Sequence, residues 1–253
     1  MAFAARRVYR VRSTKHTVEI LFLPTVGGNS LGAPDPRRRT DLDGLRTQVW
    51  YRACCLCSGF QRPKELQDFL LGTSSAEKST GAWEQYRDGT RTPSFRRTAK
   101  TQAPVVQLVG HRFPETELLF FHPLWDALDP ETAIDVANVN RLLMEVDASV
   151  SGQFIHYSDD NGAVVRDWSS VQTMWNFPFG GELSPDFLAA YLLLYREARA
   201  QQRDDVYEQA TVTVTDAIKE MRASKLFSPF RQQFLVYVVN TFLACEAGPQ
   251  FRR

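Results

Sequence analysis

The chain has 253 residues, enough for one large domain or two small ones, and 43% of them are hydrophobic, with 17 Phe, 8 Tyr and 5 Trp. That supply of large aromatic side chains builds a packed core, which excludes a disordered polymer. The net charge of +1 hides a division: residues 1–104 carry 18 Lys and Arg against 9 Asp and Glu, summing to +9, whereas residues 105–253 carry 12 against 20, summing to −8. A basic half joined to an acidic half points to polyanion contact through the first, and to folding, regulation or protein contact through the second. No run reaches the roughly 20 apolar residues of a membrane helix. Arg6, Arg7, Arg10 and Arg12 interrupt the apolar region a secretory signal needs, so a cytoplasmic location and no membrane partner are expected.

In chain order, residues 8–23 read as two strands, because VYRVRS alternates and TVEILFLP is β-branched and aliphatic. The stretch 25–36 is dense in Gly, Pro, Asn and Ser and reads as a loop. Asp35-Pro36 then has the form of a helix start, and Leu42, Leu45, Val49, Cys54 and Cys57 follow at near-helical spacing up to Gly59. A second helix is predicted over 65–72, between Pro63 and Gly72, and a third over 75–88, closed by Gly89. Pro93 opens a short fourth element, and VVQLV at 105–109 reads as a strand.

The second half is predicted to be mainly helical. An apolar stretch at 114–125 is broken by Pro123, and a helix is expected from Asp129-Pro130 onward, with Ile134, Val139, Leu142 and Leu143 on one face. Residues 154–168 hold Asn161-Gly162 between two β-like runs, a hairpin signal. Helices are predicted from Ser184-Pro185, over 204–223, and from Pro229. This last one is apolar on nearly every side between Phe234 and Leu243, so it is expected to be buried all round.

Chemistry concentrates in residues 65–97, where two short helices flank a Gly-centred turn, the plan of a helix-turn-helix. Such a unit lays its second helix in the major groove and reaches base edges with polar side chains. Lys78, Ser79 and Arg87 stand on the predicted second helix, and Arg91, Arg96, Arg97 and Lys100 on its exit. Cations against phosphates displace counterions, giving binding that weakens steeply with salt. These seven residues are the candidate nucleic-acid contacts, with DNA preferred over RNA.

The segment resembles the helix-turn-helix of phage-repressor-like (XRE/Cro) regulators, which show a Gly turn and a recognition helix ending in Trp-Glu, followed by Gly, a basic residue and Pro. Here Gly72, Trp83-Glu84, Gly89, Arg91 and Pro93 stand in that order. The spacing from Gly72 to Trp83 is longer than in that family, and Gln85-Tyr86-Arg87-Asp88 intervenes before the Gly. The resemblance implies that Trp83 packs the second helix onto the core. A helical hairpin with a solvated basic face is the competing reading of the same residues.

Other signals are given structural readings. Ser75-Ala76-Glu77-Lys78 matches S-x-x-K without the strings that accompany it in serine acyl-enzymes. Phe179-Gly180-Gly181-Glu182 lacks the Lys and Ser/Thr of a phosphate loop, and Asp159-Asp160-Asn161-Gly162 lacks calcium-loop spacing. Cys54 and Cys57 stand at C-x-x-C spacing, but the sequence has no second such pair, and with Cys55 and Cys245 they are taken as reduced core residues. His111, His122 and His156 have no readable nucleophile partner. No catalytic residue, metal or cofactor is assigned.

The expected fold is α+β but mainly α: short N-terminal strands, a helix-turn-helix-like unit, and a larger helical C-terminal region with one β-hairpin. Its expected regions are a basic one at 1–104 and an acidic, mainly helical one at 105–253. The expected function is non-catalytic nucleic-acid binding, as a regulator or a subunit of a nucleoprotein assembly, with a protein partner or self-association through the C-terminal helices. The alternative is an adaptor subunit without nucleic-acid contact. A third is a metal-dependent nuclease using Glu115, Glu117, Asp126, Asp129 and Glu131.

Overall fold

Helix α1 spans Pro36–Ser58, opened by proline in its first turn and closed by Gly59. Gly59 has φ +79°, and its N–H reaches the Cys55 carbonyl at 2.9 Å, the left-handed stop that glycine adopts at no steric cost. The computed structural model describes residues 8–12, 17–21, 36–71, 81–95, 104–157, 164–166, 168 and 184–243. After α1 come α2 (Pro63–Leu71), α3 (Ala82–Arg87), α4 (Val105–Gly110), α5 (Pro114–Phe120), α6 (Leu124–Leu128), α7 (Val136–Met144) and α8 (Ala148–Ser151). Then follow α9 (Pro185–Ala200), α10 (Asp204–Glu220) and α11 (Arg231–Val238).

Contacts divide the chain at residue 35, into 1–35 and 36–253. In the first unit β1 (Val8–Arg12) lies antiparallel to β2 (Thr17–Leu21), with Val11 opposite Val18. In the second, β3 (His156–Tyr157) and β4 (Val164–Val165) pair over two residues each. The Asn161-Gly162 turn lies outside the described residues. Among the described residues no larger sheet forms, so the α+β expectation narrows to a mainly helical protein. No described helix is long and apolar enough to cross a membrane.

The centre of the helical unit is α9. Every residue from Leu188 to Ala198 is buried, against α6, α7, α8 and α10. Ser184 caps it, its Oγ accepting from the Phe187 N–H at 3.3 Å, with Pro185 in the first turn. This is the helix buried all round, not the C-terminal one. Near the C-terminus a 3₁₀ turn (Ser228–Phe230), α11 and a π-helical turn (Val239–Leu243) replace one continuous helix. Phe234, Tyr237, Val238, Val239 and Phe242 face inward, while Val236 is 47% exposed.

Two further expectations are corrected. Residues 105–109 form helix α4, not a strand, because Val106 and Val109, three apart, bury one face beside α5 and packing overrides β-propensity. The helix expected from Asp129 begins instead at Val136, where Asp135 caps the Asn138 N–H at 2.9 Å. Its physical cause is Arg196. The guanidinium holds the carbonyls of Asp126, Ala127, Asp129, Pro130 and Thr132, at 2.8–3.4 Å, so this segment turns its carbonyls to the cation rather than into a helix.

Candidate nucleic-acid interface

Helix α3 is short and half buried. Ala82, Trp83 and Tyr86 face inward, while Gln85 and Arg87 face solvent. Trp83 is 3% exposed and stacks on Trp50 of α1, ring centroids 6.1 Å apart at 26°. Tyr86 stands edge-on to both rings, and Phe120 of α5 edge-on to Trp50. Offset and edge-on pairs of this kind add to the burial energy of the rings. Trp83 therefore anchors α3 to α1, and its indole does not face a ligand. Beside this cluster Arg46 lies 4.7 Å over the Phe120 ring and pairs with Asp43 at 2.7 Å.

The exit of α3 is fixed by backbone. The Gly89 N–H bonds the Tyr86 carbonyl at 3.2 Å, and the Thr90 N–H bonds the Gln85 carbonyl at 3.0 Å, a Schellman closure. Gly89 has φ +69°, and a Cβ there would stand 2.9 Å from the Gly44 carbonyl oxygen. A Cβ on Gly44 would stand 2.9 Å from the Gly89 carbonyl oxygen. The two glycines let the turn after α3 touch the backbone of α1. Arg87 and Arg91, on either side of this hydrogen-bonded turn, are both exposed. Arg87 Nε reaches the neighbouring Asp88 carboxylate at 2.8 Å, with both side chains about half exposed. Burial raises the pKa of the Tyr51 and Tyr86 hydroxyls, and the charges of Arg87 and Arg91 respectively oppose that rise, which puts each cation within electrostatic reach of one ring.

Of the seven sequence candidates, Arg87 at the end of α3 and Arg91 just beyond its closing turn are both exposed. Lys78, Ser79, Arg96, Arg97 and Lys100 lie outside the described residues. So do the connection of α2 to α3, residues 75–80 of the expected third helix, Ser75 to Lys78, the 179–182 glycine run, the 159–162 turn and Cys245.

The remaining candidates have structural places. Cys54 and Cys55 are buried and their thiols pushed up chiefly by burial. Cys57 departs from the core expectation: it is exposed, and partial burial together with Glu115 pushes it up to about 11. That leaves little thiolate at neutral pH. His122 Nδ1 accepts the Leu124 N–H at 3.1 Å, and its Nε2 meets Asp186 at 3.2 Å, so the ring ties the start of α6 to the start of α9. Asp129 accepts the Glu131 N–H at 2.9 Å. Among the described residues no three His, Cys, Asp or Glu side chains group to hold a metal.

Sequence reading missed two buried arginines. Arg196 is one. The other is Arg166, which donates to Glu197 at 2.9 Å, to the Phe154 carbonyl at 2.7 Å and to Asn140 at 2.7 Å. The signal was present: Arg196-Glu197 interrupts an otherwise apolar run on α9, and charged residues within such a run need buried partners. No family model, no curated protein and no solved structure matches the chain.

Proposed function

We infer that the protein binds nucleic acid without catalysis, as a regulator or as a subunit of a nucleoprotein assembly, through the basic surface that follows α3. The observation that carries this reading is the division of charge, +9 over residues 1–104 against −8 over 105–253. The close backbone approach of Gly44 and Gly89, with Arg87 and Arg91 exposed on either side of the turn, supports it. Lys78, Ser79, Arg96, Arg97 and Lys100 extend the same basic stretch in sequence. A helix-turn-helix built from α2 and α3 is the geometry this function would use, with duplex DNA the preferred ligand and the cytoplasm its setting. The short N-terminal strands and the 154–168 hairpin are, in this reading, small additions to a helical body.

The adaptor reading has its own support. Leu118 is 71% exposed and Phe121 48% exposed, close together at the end of α5, and apolar groups so placed favour protein contact. Titrating the intact protein into labelled duplex DNA at rising salt separates the two readings. Nucleic-acid binding requires an affinity that falls linearly on logarithmic axes. Absence of any shift at low salt leaves the adaptor.

A further inference from the structure

We propose that the β1–β2 ribbon is a DNA-contacting element of its own, and that its Arg12–Thr17 end enters the major groove of duplex DNA. The inference rests on the nucleic-acid function above and adds to it a site within residues 1–35.

Register and alternation divide the ribbon into two faces. The strands pair Val8 with Leu21, Tyr9 with Ile20, Arg10 with Glu19, Val11 with Val18 and Arg12 with Thr17. Successive residues of a strand belong to opposite faces. One face therefore holds Tyr9, Val11, Val18 and Ile20, all apolar. The other runs from the apolar pair Val8–Leu21 through Arg10–Glu19 to Arg12–Thr17, the last pair before the connecting residues 13–16. Polarity on this face thus rises toward the connection. Arg10 has an opposite charge in register across the ribbon, whereas Arg12 stands directly opposite a neutral threonine.

Charge identifies the partner. Residues 6–21 hold Arg6, Arg7, Arg10, Arg12 and Lys15 against the single acid Glu19, a net +4 that complements a polyanion. Shape then selects among polyanions. A two-stranded antiparallel ribbon fits the major groove of B-form DNA, about 12 Å wide, whereas the major groove of A-form RNA is too narrow to read. The residue types at the end of the ribbon suit base edges: arginine pairs with guanine O6 and N7, and threonine bonds either kind of base. A lone two-stranded ribbon is marginal in water, and the groove supplies a surface to hold it.

The test is titration of the full chain into labelled duplex DNA of unselected sequence at low salt. Arg12→Gln should bind about tenfold more weakly, the loss of one base-edge contact. Glu19→Gln removes the one carboxylate of the ribbon and should tighten binding, a direction that unfolding of the ribbon cannot produce. Methylation of guanine N7, which blocks the groove edge that arginine reads, should weaken the parent more than Arg12→Gln. A parent that binds no duplex at low salt overturns the nucleic-acid function and this inference with it. A parent that binds overturns the ribbon contact alone under any of three results: unchanged affinity in Arg12→Gln, unchanged or weaker affinity in Glu19→Gln, or equal effects of methylation on parent and Arg12→Gln.

Discussion

Arginine is used in two opposite ways in the two halves of the helical unit. Around α1 and α3 Arg87 stays at the surface with its neighbour Asp88, while Arg46, with 21% of its side chain exposed, lies half-buried against Asp43 and two aromatic rings. Around α9 the arginines are interior ties: Arg166 is locked to Glu197, Asn140 and a carbonyl, and Arg196 to five carbonyls. The difference shows that formal charge is not available charge. The acidic half contains arginines that no macromolecular polyanion can reach, whereas the turn after α3 offers its arginines to solvent.

The largest effects should come from breaking the interior ties. Arg166→Ala leaves the Glu197 carboxylate buried without its cation and should cost about 3–5 kcal/mol in denaturant unfolding. Replacing Arg166 and Glu197 together by methionine should recover most of that loss. If the single variant is as stable as the parent, the pair does not hold α9 in place. Trp83→Ala should cost a similar 3–5 kcal/mol by emptying the stack on Trp50.

A smaller effect is expected at the contact that positions the exposed cations. Gly89→Ala forces a side chain into a left-handed φ of +69° and against the Gly44 carbonyl oxygen 2.9 Å away. It should cost about 1–3 kcal/mol. It should also weaken nucleic-acid binding without removing a charge. Full retention of affinity would show that the rigid turn is irrelevant.

The smallest effect concerns pH. The hydrogen bond from His122, against the opposing effect of burial, holds the Asp186 carboxyl below its ordinary range. Its contribution to stability is therefore fully present above the ordinary aspartate pKa and is lost as pH falls through the lowered value. Asp186→Asn should lower stability in the neutral region, leave the strongly acidic region nearly unchanged, and so flatten the acid limb of the stability profile. An acid limb as steep as the parent's would remove Asp186 from this account.

Much of the helical plan was legible in the sequence because it rests on local signals. Pro36 and Gly59 bound α1, Ser184-Pro185 opens α9, and Gly89 closes α3. What was not legible depends on distant partners. Val105 and Val106 read as strand until α5 is seen beside them. Asp129-Pro130 reads as a helix start until Arg196, 67 residues away from Asp129, takes its carbonyl. The C-terminal run reads as a central helix, yet α9 already fills the centre. In the candidate interface the basic residues were readable. The Gly44–Gly89 contact that arranges two of them was not, because neither glycine signals which backbone it will meet.

The most direct test of the nucleic-acid reading is the salt dependence of duplex DNA binding by the parent and by the Arg87→Gln/Arg91→Gln variant. Both side chains are exposed, so the variant should unfold at the parent's temperature. Phosphate contact by these arginines should give the variant weaker binding of every duplex sequence, and a slope of log affinity against log salt that is flatter by roughly 0.9 for each lost phosphate contact. An unchanged slope and affinity, with or without a fall in thermal stability, would contradict it and leave these arginines as ordinary surface charge.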